Sequence, residues 1–175
     1  MIATNSDGKP VDITNDYGKR YTLLNNLAEW PADTLLRAVG GYVVEDEGKA
    51  RLMTLLPLYV LRDCSELEEL HRDPTNVASA WTAGGYINVH LLPKTQGKTQ
   101  DWGFLRDSTL DNTAGGRSHY ISLYHDQTDD PAAFSGHLYI SIPLDSVITP
   151  RTAADSIILI IGTFKQTAVW HFSAL

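Results

Sequence analysis

Ser118–Asp126 reads SHYISLYHD and Gly136–Leu144 reads GHLYISIPL. In both, apolar and polar side chains alternate, the period of two that puts every second residue on one face of an extended strand. Ile121 and Leu123 share one face of the first strand, and Leu138, Ile140 and Ile142 one face of the second. Asp155–Phe164, DSIILIIGTF, is apolar at every position from Ile157 to Ile161, which suits a mid-sheet strand covered on both faces. Thr167–Ala174, TAVWHFSA, follows a short turn at Lys165 and Gln166. Strands so spaced, with almost no helix between them, predict an all-β chain: an antiparallel β-sandwich or jelly-roll-like single domain with one or two short helices. Its core should contain Ile121, Leu123, Ile140, Ile142, Leu159 and Ile161.

Upstream, Tyr86–Leu92 alternates as well, with Ile87, Val89 and Leu91 opposed to Tyr86, Asn88 and His90. The apolar runs on either side of Glu45–Lys49 predict a hairpin with Gly48 at its tip, and Pro57, which cannot donate to a ladder, predicts a kink. A short helix could instead begin after Pro31. Ser65–Asp73, SELEELHRD, is the best helix candidate, with Ser65 and Glu68 as a capping box and Leu67 and Leu70 on one face. Residues 94–117 carry Gly, Asp, Thr and Asn throughout and read as a long surface excursion. Residues 1–19, with turns at Asp7-Gly8 and Tyr17-Gly18, read as an extended leader or linker before one β domain over 20–175.

Composition limits the function classes. The chain has 175 residues, 43% hydrophobic and 20% charged, which permits a sizeable core without disulfides or metal. A formal net charge of -7 opposes a nucleic-acid partner, which needs clustered Lys and Arg. The lone Cys64 forms no internal disulfide, and neither an apolar run long enough for a membrane span nor a secretion leader at Met1 is evident.

No motif states a reaction. Gln96–Gln100 contains Gly97-Lys98, but the phosphate-loop pattern needs Gly where Leu92 stands. Cys64 and His71 lack the further soft ligands of a zinc site, and Asp126, Asp129 and Asp130 lack the alternation of a calcium loop. Ser135, His137 and Asp126, or Ser118 and His119, are neighbours without a nucleophile elbow. The expectation is no enzyme, no catalytic residue, no cofactor and no metal centre.

Strand parity supplies the candidate surface. If Ile121, Leu123, Ile140 and Ile142 face inward, then Tyr120, Ser122, Tyr124, Tyr139 and Ser141 face outward together. Tyr gives large contact area at low entropy cost and Ser gives adaptable hydrogen bonds, the composition of recognition surfaces. Trp102 and the loop carboxylates of Asp126, Asp129 and Asp130 complete the predicted contacts.

Residues 136–175, GHLYISIPLDSVITPRTAADSIILIIGTFKQTAVWHFSAL, run strand, Pro-containing loop, Asp-Ser, apolar strand and final strand. In this they resemble the end of a capsid protein from a small non-enveloped RNA virus. The acidic charge favours that group's protruding domain over its RNA-binding shell. The resemblance implies a place on the virion surface, homo-oligomerisation with other capsid subunits, and attachment to a host cell-surface receptor, glycans included. Two further readings accompany it: a lectin-like carbohydrate-binding module stacking sugars on Trp81 or Trp102, and a hydrolase with a Ser/His/Asp site.

Overall fold

A computed structural model describes Met1–Ala174. Where the sequence predicted a leader over 1–19 and one domain after it, the chain divides into two units, Met1–Tyr59 and the residues from Val60 onward. The first unit holds β1 (Ile2–Thr4), β2 (Pro10–Thr14), β3 (Arg20–Leu23), β4 (Leu35–Leu36), β5 (Ala38–Asp46) and β6 (Lys49–Pro57) in one sheet of order β4-β1-β2-β3-β6-β5. Ile2, Ile13, Tyr21, Ala50 and Leu52 are its buried cluster, so residues 1–19 supply core rather than a tether. The hairpin at Glu45–Lys49 forms as predicted, with Gly48 at φ 75°.

Residues 1–19 read as linker because their turn chemistry is dense. Asn5 Oδ1 accepts the N–H groups of Asp7 and Lys9, and Asn15 Oδ1 those of Tyr17 and Lys19. Gly8 and Gly18 supply the positive φ that closes each turn. Asn112, with Ala114, Gly116 and Gly115, repeats this device further along the chain. The Asn-x-x-Gly stretches therefore mark hairpin tips.

From β7 (Tyr59–Val60) the chain runs through β8 (Asn76–Ala83), β9 (Tyr86–Leu92), β10 (Lys94–Thr95), β11 (Asp101–Asp111), β12 (Arg117–Asp126), β13 (Phe134–Ser135) and β14 (Leu138–Pro143). The one-turn α1 (Leu144–Val147), β15 (Ser156–Gly162) and β16 (Thr167–Ser173) complete it. Two four-stranded sheets result, β7-β14-β9-β8 and β11-β12-β15-β16; β8–β9, β9–β14, β11–β12 and β15–β16 pair antiparallel, and β12 and β15 run parallel. Ile87, Val89, Leu91, Ile140 and Ile142 meet Phe104, Ile121, Leu123, Ile157, Leu159 and Ile161 in one buried cluster. This is a β-sandwich, and all six core residues predicted from parity lie in it. Burying each such aliphatic side chain is worth about 1.5–3 kcal/mol.

Two predicted elements differ. Asp101–Asp111, expected in a surface excursion, pairs along its length with β12; Gly103 to Leu105 are buried and Arg106 to Asp111 are exposed. Ser65–Asp73, expected as a helix, forms none; it is a strap between two sheet edges. Cys64 N–H donates to Phe104 C=O, and Phe104 N–H donates to Arg62 C=O, which ties one end to β11. At the other end His125 N–H donates to His71 C=O and Asp73 N–H to His125 C=O. These backbone groups are committed to the sheet, and Ser65 Oγ is occupied by Asp63 and the Arg106 N–H instead of a helix cap.

Candidate functional site

The five residues predicted to share an outward face do not share one. β12 carries Tyr120, Ser122 and Tyr124, and β14, with Tyr139 and Ser141, belongs to the opposing sheet. Consecutive long strands that cross between layers break a surface that parity alone draws as continuous.

Each half is also largely covered. The strap packs Cys64 against Leu105 and Tyr124, and Tyr124 is 7% exposed. Ser122 is buried beside Arg72, whose Nε donates to its hydroxyl at 3.1 Å while Nη2 reaches Asp107 at 2.7 Å. On the other sheet, Ser141 is buried and donates to Asn88 Oδ1 at 2.7 Å. Tyr139 lies partly exposed, stacked on His90 with ring centroids 4.2 Å apart.

The remaining predicted contacts go to separate partners. The Trp102 ring is covered by His125 at a centroid distance of 3.8 Å and an angle of 7°, which removes that face as a sugar platform. Asp129 pairs with Lys98 on the surface. Asp130, by contrast, is buried and accepts from Gln96 N–H, Thr95 Oγ1 and Gln100 Nε2, so it organises its own loop. Asp126 Oδ1 accepts the Thr128 N–H and Oδ2 lies 3.8 Å from His71 Nε2. His71, Asp73 and Asp126 are a group among the described residues whose ligand atoms gather closely enough to hold a metal ion. The hydrolase pairs do not assemble either. Ser118 Oγ bonds Ser156 Oγ at 2.9 Å, and His137 Nδ1 faces His90 Nε2 at 2.8 Å.

What the sandwich does offer is a cleft of about 320 Å³ between the β11–β12 hairpin and the segment that runs from α1 to Pro150. Arg106, Thr109, Arg117, His119 and Tyr120 line its sheet side. Hairpin register brings these together, since Thr109 opposes His119 and Ser108 opposes Tyr120. The main-chain N–H of Arg117 is fixed by Asp155 Oδ1 at 2.8 Å, while its exposed guanidinium makes no ion pair among the described residues. His119 Nδ1 meets the Thr109 hydroxyl at 3.2 Å, and its Nε2 is enclosed without a partner. Burial lowers the pKa of His119, Asp155 opposes that shift, and Arg117 adds to it. The cleft thus presents one free guanidinium, a phenol and hydroxyls beside an imidazole held toward its neutral form. Ser118-His119 was visible as an adjacency, but nothing in the spacing of Arg106 and Arg117 showed that they border one cavity.

The sandwich decides the family. Residues 60–172 match the NigD-like C-terminal beta sandwich domain. The chain belongs to the NigD-like family. The matched stretch coincides closely with the second unit and contains the whole cleft. Among solved structures, a NigD-like immunity protein from Bacteroides caccae is similar at 21% identity and TM-score 0.77, over 98% of this chain and 93% of that one. A protein of unknown function from Bacteroides vulgatus is similar at 14% identity and TM-score 0.72, over 98% and 87% of the two chains. A candidate lipoprotein from Bacteroides fragilis follows at 13% and 0.66, over 99% and 96%. No curated protein matches.

NigD-like membership in a bacterial family overturns the capsid resemblance and what it implied: the virion surface, capsid-subunit partners and host-receptor attachment. The resemblance rested on strand order near the chain end, which unrelated sandwiches share. Neither the family match nor the similar solved structures lend support to the lectin-like or hydrolase reading.

Proposed function

We propose that this NigD-like chain is a non-enzymatic immunity protein that neutralises an antibacterial toxin by binding it, with the sandwich cleft as part of the contact surface. The observation that carries the reading is the family match over residues 60–172, the unit that builds the cleft. A solved structure of the same fold is described as a NigD-like immunity protein. Arg117 and Tyr120 supply the residue types that most often anchor protein interfaces, a guanidinium and a phenol on a rigid hairpin. The free guanidinium suits a carboxylate of the toxin chain. The formal charge of -7 steers a cationic toxin toward the rest of the surface. Binding rather than catalysis is favoured because Ser118, the serine adjacent to His119 in sequence, turns away to Ser156.

The test is protection. A sensitive Bacteroides strain expressing the full chain is challenged with a panel of antibacterial toxins from other Bacteroides strains, and the inhibitory concentration of at least one should rise about tenfold. Arg117→Ala with Tyr120→Ala should reverse most of that rise while the melting temperature stays close to the parent's. Absence of protection across the panel overturns the immunity reading; full protection by the double variant removes the cleft from it.

A further inference from the structure

The strap that crosses β11 and β12 returns to the sheet at one parallel bridge, Arg72 opposite His125. His71 and Asp73 flank Arg72, so local alternation sends both to the same side, and Asp126 follows His125 on β12. One ligand atom from each of His71, Asp73 and Asp126 lies within 4.8 Å of the others. His71 Nε2 stands 3.8 Å from Asp126 Oδ2, and Glu69 Oε2 approaches the same nitrogen at 3.5 Å.

We propose that His71, Asp73 and Asp126 bind a divalent transition-metal ion of the zinc type, clipping the strap to β12. Ligand chemistry selects that class, because one imidazole with two carboxylates suits Zn²⁺, whereas Ca²⁺ and Mg²⁺ take all-oxygen sets. Zn²⁺ bonds of about 2.0–2.2 Å put neighbouring ligand atoms about 3.3 Å apart, so this cluster closes by roughly 1 Å of side-chain rotation. The side chains are partly exposed, which gives them that freedom and gives the ion an entry path.

Charge favours a cation here. Neither Asp73 nor Asp126 has a Lys or Arg partner among the described residues, and Arg72 between them is drawn away by Asp107 and Ser122. The carboxylates are oriented from behind: Gln127 N–H donates to Asp73 Oδ2 at 2.8 Å and Thr128 N–H to Asp126 Oδ1 at 2.7 Å. Such outer contacts leave the second oxygen of each for a ligand bond. The His71 ring is set edge-on against Tyr124, at 6.1 Å and 87°, so its plane is braced by the residue the strap covers. An ion would hold together the two segments whose meeting buries Tyr124. Glu69, largely exposed, is available as a fourth ligand and is not required.

The experiment uses the full chain, stripped with chelator and titrated with Zn²⁺, Mn²⁺ and Ca²⁺ by calorimetry and thermal melting, with Co²⁺ as a spectroscopic probe. One Zn²⁺ per chain and a rise in melting temperature of several degrees are expected, with a Co²⁺ visible spectrum displaced by Zn²⁺. Asp126→Asn and His71→Gln should each abolish the shift and the Co²⁺ spectrum; Glu69→Gln and the distant Asp129→Asn should keep both. If either ligand variant melts too early to compare, its Co²⁺ spectrum below the melting point decides. Zn²⁺ without effect on the parent, an effect retained in the His71→Gln, Asp126→Asn double variant, or a response to Ca²⁺ stronger than to Zn²⁺ overturns the proposal.

Discussion

The Cys64 sulfur occupies the space in which a side chain on Gly103 would begin: a Cβ there would overlap Sγ and stand 3.1 Å from the Arg62 carbonyl oxygen. Strap and strand are in contact at this point because residue 103 has no side chain. Gly103→Ala should cost about 1–3 kcal/mol through overpacking, read by urea denaturation. Cys64→Ala in the same chain should recover part of that loss, because the nearer obstruction is the sulfur. Equal losses in the single and double variants would show that the strap does not rest on Gly103.

Tyr124 and Tyr139 should separate cleanly. Tyr124 lies under the strap with Cys64 and Leu105, so Tyr124→Ala empties a buried site and should cost about 3–5 kcal/mol. Tyr139 is partly exposed on the other sheet and keeps mainly its stack with His90, so Tyr139→Ala should cost about 0.5–1.5 kcal/mol. Thermal melting of the two variants checks the order, and similar losses would contradict it.

Asp155 ties the strand-end loops together. Its carboxylate accepts from Arg117 N–H and from the N–H and hydroxyl of Thr152, each at 2.8 Å. Those hydrogen bonds, the one from Arg117 N–H foremost, hold its pKa below the ordinary carboxylate value. A depressed carboxylate stabilises the fold above its unfolded pKa, about 3.9, and loses that contribution as pH falls through the folded value. Asp155→Asn should therefore melt several degrees early at neutral pH, and the gap from the parent should narrow in acid. A gap independent of pH would sink the assignment.

His90 and His137 should make the fold acid-sensitive at a milder pH. Their facing nitrogens lie 2.8 Å apart. Burial, then the charge of His137, lowers the pKa of His90. Below the ordinary imidazole value of about 6.5 the unfolded chain binds the proton first, so stability falls as pH drops from there toward the folded value. Melting temperatures between about pH 7.5 and 5 should decline, and His137→Ala should weaken the decline. A parent curve flat across that range would refute this.

How much was legible follows the physics of each signal. Alternation is a local property of a strand, so Ile121, Leu123, Ile140, Ile142, Leu159 and Ile161 could be assigned to the core from sequence, and they lie there. The Glu45–Lys49 turn was legible for the same reason, since its geometry is set by a glycine within it. Ser65–Asp73 was not, because its helical pattern lost to hydrogen bonds with Phe104 and His125, far away in sequence. The mixed polar pattern of Asp101–Asp111 likewise became a strand only through its partner β12.

By itself, then, the sequence determined the all-β class and the inward set of side chains in its alternating strands, both of which depend on residues close along the chain. Only the tertiary structure decided which strands share a sheet, and with that the fate of every candidate contact. Parity says that Tyr124 and Tyr139 point away from the core; it cannot say that they point in opposite directions from two layers, or that a strap covers one of them. The cleft at Arg117 and His119 and the cluster of His71, Asp73 and Asp126 arise the same way. Each is made by register between segments that the chain itself keeps apart, and register is fixed by long-range packing of the apolar faces.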